Sequence, residues 1–154
     1  MSRKSSGDAW LEGPNGELVW GPYGAAGILL FHKSGHVLLQ HRAPWTSDGD
    51  TWGIPGGSRH KRESAKRAAL REAQEETGLD PESVTIRGEH KFDLGWWTYV
   101  TIIGSVETMF TPVPEKESVS VEWVHVDNFD TKTLHPRFAA SWPLLYERIQ
   151  AEFS

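Results

Sequence analysis

The sequence predicts an α/β fold in which a mixed β-sheet lies between helices. Two observations carry that prediction. Short apolar runs of strand length stand on either side of one central stretch with helical spacing, and a second helical stripe closes the chain. The length, 154 residues, suits one compact unit that can bury a core without disulfides or a structural metal. We expect residues 1–19 to form a partly loose N-terminal segment, the first nine being polar, and residues 20–154 to form a single domain.

The elements follow in order. From Tyr23 to His32 the run YGAAGILLFH reads as a buried strand, Lys33-Ser34-Gly35 as a turn, and His36–His41 as the returning strand of a hairpin. Pro44–Asp50 is a loop, and Thr51–Ile54 is a short strand halted by Pro55-Gly56-Gly57. The period then changes. Between Glu63 and Thr77 there is no Gly or Pro, and Ala65, Ala68, Ala69 and Ala73 recur at helical spacing. Gly78 suits the left-handed residue that ends a helix, and Pro81 forbids continuation. Val84–Phe92, Thr98–Glu107 and Val121–Val126 have strand character. Arg137–Phe153 reads as a terminal helix with Trp142, Leu145, Ile149 and Phe153 along one stripe.

Composition narrows the functional classes. With no cysteine, disulfides, thiolate zinc sites and thiol nucleophiles are excluded, which fits a reducing cytoplasm. The net charge of −5 gives no general attraction to nucleic acid or an anionic membrane. A polyanionic substrate would therefore need metal ions or a local basic patch. The longest apolar run, around Ala25–Phe31, is strand-sized, and the N-terminus does not read as a signal peptide. The expectation is a soluble, cytoplasmic protein with no membrane partner and no polymeric nucleic acid partner.

The chemistry lies in the central helix. Glu72, Glu75 and Glu76 stand at i, i+3 and i+4, on one face. Like charges so placed repel by a few tenths of a kcal/mol per pair, roughly, so stability alone would not select them. A hard divalent cation such as Mg²⁺ reverses that cost, because it takes oxygen ligands. A solvated helix face, with Arg71 pairing to Glu75, is the plainer alternative.

Wider spacing decides between the two. Gly57, five residues, Glu63, seven residues, then Arg71-Glu72-Ala73-Gln74-Glu75-Glu76-Thr77-Gly78-Leu79 is similar to the full Nudix box, G-x5-E-x7-R-E-U-x-E-E-x-G-U with U a bulky aliphatic. Only Ala73 is smaller than usual there. Seven fixed residues, each at a usage of roughly 1 in 15, match by chance at about 10⁻⁸ per start position. Trp52-Gly53-Ile54-Pro55-Gly56-Gly57 also resembles the W-x-x-P-G-G entry to that box, and similarity of layout covers residues 20–150.

The resemblance implies a Nudix-type α/β/α sandwich with a mixed β-sheet, and Mg²⁺-dependent cleavage of a phosphoanhydride bond in a nucleoside diphosphate derivative. Mn²⁺ would be able to substitute. It implies metal ligation by Glu72, Glu75, Glu76 and the Gly56 carbonyl, with Glu63 and Arg71 as supports in the catalytic centre. Glu63 would reach the metal through water, and Arg71 would orient a neighbouring glutamate. A further glutamate past the box commonly serves as ligand or base; Glu117 is our choice, with Glu115 its rival. Arg42, fourteen residues before Gly56, resembles the family's phosphate-contacting arginine, whose fork matches phosphate oxygens.

Eight tryptophans are many for this length, and Trp45, Trp52, Trp96 and Trp97 flank the expected site. An aromatic face there could stack on a nucleobase, with Trp52 and Trp96 our candidates. The seven histidines form no zinc pairing, so His125 and His135 read as structural.

Three functions compete. The first is a nucleoside triphosphate pyrophosphohydrolase, of the kind that clears oxidised or unwanted nucleotides. The second keeps the class but takes ADP-ribose, a nucleotide sugar or a dinucleoside polyphosphate. Against it, Leu94-Gly95-Trp96 lacks the proline that ADP-ribose enzymes often carry about fifteen residues past the box, and Tyr99 fits the dinucleotide tyrosine poorly. The third is a non-catalytic nucleotide sensor, disfavoured by an intact box and no appended domain. An isopentenyl diphosphate isomerase would need a cysteine. Homodimers are common in the family, so the resemblance leaves a homodimer open, without a legible interface.

Overall fold

The computed structural model describes residues 7–115 and 118–154. Its first elements are β1 (Trp10–Glu12) and β2 (Leu18–Trp20), which pair antiparallel as a separate two-stranded sheet. We expected no strand before Tyr23. The signal was nonetheless present: Asn15-Gly16 is a strong hairpin turn pair, and Gly16 takes φ 85°, a left-handed value that suits glycine.

The main sheet has seven strands. β3 (Ala25–Phe31) is buried at every position, as a strand covered on both faces must be. β4 (His36–Arg42) returns from the turn at Gly35. β5 (Trp52–Gly53) and β6 (Gly56–Ser58) are short, and β7 (Thr85–Asp93), β8 (Thr98–Ser105) and β9 (Ser118–His125) complete the set. β3 runs parallel to β8, and the other pairings are antiparallel, so the sheet is mixed.

The expected hairpin of β3 and β4 forms but parts almost at once. Their only register pair is Phe31 with Val37. Beyond it β3 pairs with β6 and β8, while β4 pairs with β5 and β9. The sheet is thereby opened between two strands adjacent in sequence.

Two helices cover the faces. α1 (Ala65–Thr77) starts two residues later than its period suggests, because Ser64 is the N-cap and accepts from the Arg67 N–H. Gly78 ends it at φ 79°, with its N–H returned to Gln74. On that face Ala68, Ala69 and Ala73 pack against Ala26, Ile28, Leu30, Val100 and Ile102. α2 (Pro136–Ile149) covers the other face, where Phe138, Leu145 and Ile149 meet Leu29, Phe31, Leu39 and Ile103. Alternate residues of β3 therefore feed opposite layers, as strand geometry requires. The architecture is the expected α/β/α sandwich. Among the described residues no helix is long and apolar enough to cross a membrane.

Candidate active site

The tight turn from β5 into β6 brings Gly56 and Gly57 against the C-terminal half of α1. The Gly56 N–H donates to Glu76 Oε1 at 2.8 Å, and Gln40 Nε2 on β4 reaches Glu76 Oε2 at 3.4 Å. Glu76 is thus held from both sides of the opening in the sheet. A methyl group on Gly57 would lie 2.7–2.9 Å from the carboxyl atoms of Glu72, so the glycine leaves the space that carboxylate occupies. That steric need adds to the turn requirement read from sequence.

Arg71 organises the rest. Its Nε donates to Glu63 Oε2 at 2.8 Å and its Nη2 to Glu63 Oε1 at 2.9 Å, a bidentate fork. Nη2 also donates to the Ser58 carbonyl at 3.0 Å, and Nη1 to Glu72 Oε1 at 2.8 Å. Its i,i+4 pairing with Glu75, the contact a mere solvated helix face would make, is the longest of these ion pairs at 3.8 Å. Glu63 stands just before the cap, where it also accepts from the His60 N–H. Glu63 and Arg71 together tie the loop after β6 to the helix.

Solvent is unevenly shared among the carboxylates. Glu72 is 15% exposed and Glu75 59%. Burial pushes the Glu72 carboxyl up to about 7, with the charges of Glu75 and Asp8 adding and Arg71 opposing. Burial raises Glu76 well above the usual range, with Glu72 and Glu115 adding and the Gly56 N–H opposing. Glu63 is held down to about 2, chiefly by its hydrogen bonds from Arg71.

This donor set fits a hard divalent ion. One guanidinium serves three carboxylates, and two further from water resist ionisation, a cost that a bound cation would remove. Among the described residues no three acidic or histidine side chains already converge as a cation cage. Glu72 and Glu76 are instead held by Arg71, Gly56 and Gln40, and Glu75 stands in solvent.

The remaining expected residues divide. Glu117 lies outside the described residues. Glu115, its rival, is close enough for its charge to be felt by Glu76. Arg42 sits at a β-bulge, where the register with β9 shifts, and both Nε and Nη2 donate to the Ser47 carbonyl at 3.0 and 2.8 Å. Trp52 is corrected: it is buried, with His41 stacked on its ring at 4.5 Å and Lys132 Nζ 4.3 Å from the centroid, so no face is open to a base. Trp96 is half-buried against Gly13, whose missing side chain makes room for its ring, in a small cluster with Val19 and Trp97. Trp45, by contrast, is 75% exposed. His135 and His125 accept from backbone N–H groups at the starts of α2 and of the short 3₁₀ helix Val126–Thr131, which is the structural role expected of them.

Three neighbours were missed from sequence. Gln40 is a buried polar residue in an apolar strand, a signal that was available. Tyr99 on β8 sets its hydroxyl 3.1 Å from where a Gly56 side chain would begin, and its ionisation is opposed by burial and by Glu76. Arg137, second residue of α2, lies 5.9 Å from the Tyr99 ring. No local pattern marks either of these two.

The family model for the NUDIX domain matches residues 22–145. The chain is 39% identical over 152 residues to a Mycobacterium tuberculosis protein named "Putative 8-oxo-dGTP diphosphatase 3", covering 92% of this chain and 70% of that protein. It is 37% identical to a Bifidobacterium longum nucleoside triphosphate pyrophosphatase/Nudix hydrolase fusion protein, over 93% of this chain and 32% of that longer one. Among solved structures, a Nudix hydrolase from M. Smegmatis, RenU, superposes with a TM-score of 0.84 at 41% identity, covering 92% of this chain and 94% of that one. Sequence, fold and the packing of the box around Arg71 agree, and the chain belongs to the Nudix hydrolases.

Proposed function

We propose that this Nudix hydrolase is a Mg²⁺-dependent nucleoside triphosphate pyrophosphohydrolase acting on oxidised or otherwise unwanted nucleotides. The observation that carries the reading is the pair of desolvated carboxylates, Glu72 and Glu76, fixed on α1 beside the Gly56-Gly57 turn. The names of the M. tuberculosis and B. longum relatives support the substrate class.

In this reading Glu72, Glu75 and Glu76, with the Gly56 carbonyl, would hold the metal. Mg²⁺, or Mn²⁺ in its place, would supply the positive charge that offsets a polyphosphate and would lower the pKa of a bound water. Gly56 and Gln40 orient Glu76, and Arg71 orients Glu72 while Glu63 anchors the arginine. The exposed Glu75 and a loop acid, Glu115 or Glu117, are the groups assigned to take a proton from the attacking water. The substrate is a small nucleotide, and the setting is the cytoplasm.

The test is a hydrolysis screen with Mg²⁺ over nucleoside triphosphates, their 8-oxo forms, ADP-ribose, nucleotide sugars and dinucleoside polyphosphates, reading phosphate and pyrophosphate separately. Pyrophosphate release from triphosphates is the expected result. Turnover confined to ADP-ribose, sugars or dinucleotides would overturn the substrate class, and tight nucleotide binding without turnover would overturn the activity.

A further inference from the structure

Among the described residues Arg137 is a cation with no ion-pair partner. Its guanidinium carbon lies 4.6 Å from the centroid of Trp97, 5.5 Å from Phe92 and 5.9 Å from Tyr99. Among the described residues it makes no ion pair, and its only contacts of this kind are those rings. Asp48 is the acid whose charge reaches it, but Asp48 is already paired to His135 at 3.2 Å. Burial disfavours the charged form of Arg137, as expected for a guanidinium half-removed from water. Aromatic faces offset part of that penalty, yet they leave the in-plane N–H fork without acceptors.

Position gives this arrangement its meaning. Tyr99 links Arg137 to the carboxylates: its ring touches the guanidinium on one side, and its hydroxyl stands over Gly56, whose N–H holds Glu76. The cation therefore sits at the start of α2, on the far side of a hydroxyl that the charges of Glu76 and Glu72 also reach. Arg42, the arginine expected from sequence to serve this role, spends two of its donors on the Ser47 carbonyl. Among the described residues no acceptor takes a side-chain donor of Arg137. A chain with net charge −5 that takes a polyanion needs a local positive patch, and here one is prepared.

We propose that Arg137 is a substrate-contacting residue whose guanidinium fork binds the phosphate oxygens of the nucleotide, opposite the glutamates of α1. Trp97, Phe92 and Tyr99 are the positioning residues that hold its plane. The inference rests on the proposed nucleotide substrate, and the experiment separates the two.

Arg137→Met keeps the apolar stem against the rings and removes the fork, and Arg137→Lys keeps the charge alone. With the triphosphate found in the screen, Arg137→Met is expected to raise KM about tenfold or more with kcat within about threefold. Inorganic tripolyphosphate, used as a competitive inhibitor, should weaken by the same factor, with Arg137→Lys intermediate. An unchanged KM overturns the proposal. A raised KM with unchanged tripolyphosphate inhibition moves the contact to the base or sugar and overturns the phosphate assignment. If no triphosphate is turned over, the functional reading fails, but tripolyphosphate binding followed by tryptophan fluorescence still reads Arg137. Weaker binding by the folded Arg137→Met protein supports the proposal there. Equal binding, or none by the unsubstituted protein, overturns it.

Discussion

Helix α1 meets the sheet through Ala68, Ala69 and Ala73, whereas α2 meets it through Phe138, Leu145 and Ile149. Alanines bring a helix backbone close to the strands and leave no long side chain to readjust. The aromatic and aliphatic side chains of α2 interdigitate with Leu29, Phe31 and Ile103, a layer that adds more buried area. The carboxylates proposed to hold the metal are on the closely seated helix. The comparison suggests that α1 is built for placement and α2 for stability, and Ala73, smaller than the residue usual at its place in the box, is part of that placement.

The largest effect should come from the chemistry itself. Glu76→Gln removes a proposed ligand without disturbing the alanine seam, so turnover with Mg²⁺ should fall about 100-fold or more at unchanged fold. A steady-state rate close to that of the parent would take Glu76 out of the metal assignment.

Next come two substitutions that set the helices against each other. Leu145→Ala should cost about 2–5 kcal/mol of unfolding free energy while leaving kcat per folded molecule unchanged. Ala73→Val overpacks the seam, costing about 1–3 kcal/mol, yet it should lower kcat about tenfold by displacing Glu72 and Glu76. Urea titrations and kinetics on the same samples check both. Equal effects on kcat would break the distinction between the helices.

The smallest effect is in pH. Glu72 is raised from 4.5 to about 7, so the folded protein holds this proton more tightly than the unfolded chain. Its contribution to stability is full below about pH 4.5 and is lost as pH rises toward 7. Glu63 has the opposite sign: held at about 2, it contributes above about 4.5 and ceases to as pH falls toward 2. Without divalent ions, Tm should fall by a few degrees between pH 4.5 and 8, and millimolar Mg²⁺ should restore more at pH 8 than at pH 5. A Mg²⁺ increment independent of pH would separate Glu72 from the ion.

Most of this design was legible before the structure. The box is legible because one helix carries it at fixed spacing, and α1 ends where Gly78 says it should. The sandwich followed from strands around a helix. The parting of β3 and β4 was not legible, since it depends on β6, β8 and β9 competing for their edges. Trp52 was misread for a related reason: its burial is decided by His41 and Lys132, which local sequence does not place beside it. Arg137 belongs with these, because its aromatic neighbours come from β7, β8 and the turn between them.

That same parting of the hairpin bears on how the molecule assembles. Leu29 pairs with Ile103 and Leu39 with Glu122, so the strands that frame the opening find their longest partners across long stretches of chain. Closing such loops precedes any reward from the contacts, which makes folding slow compared with helical proteins of this size. During synthesis the α1 carboxylates emerge well before β8 and β9, and hydrolytic competence should appear only after both of these strands have emerged.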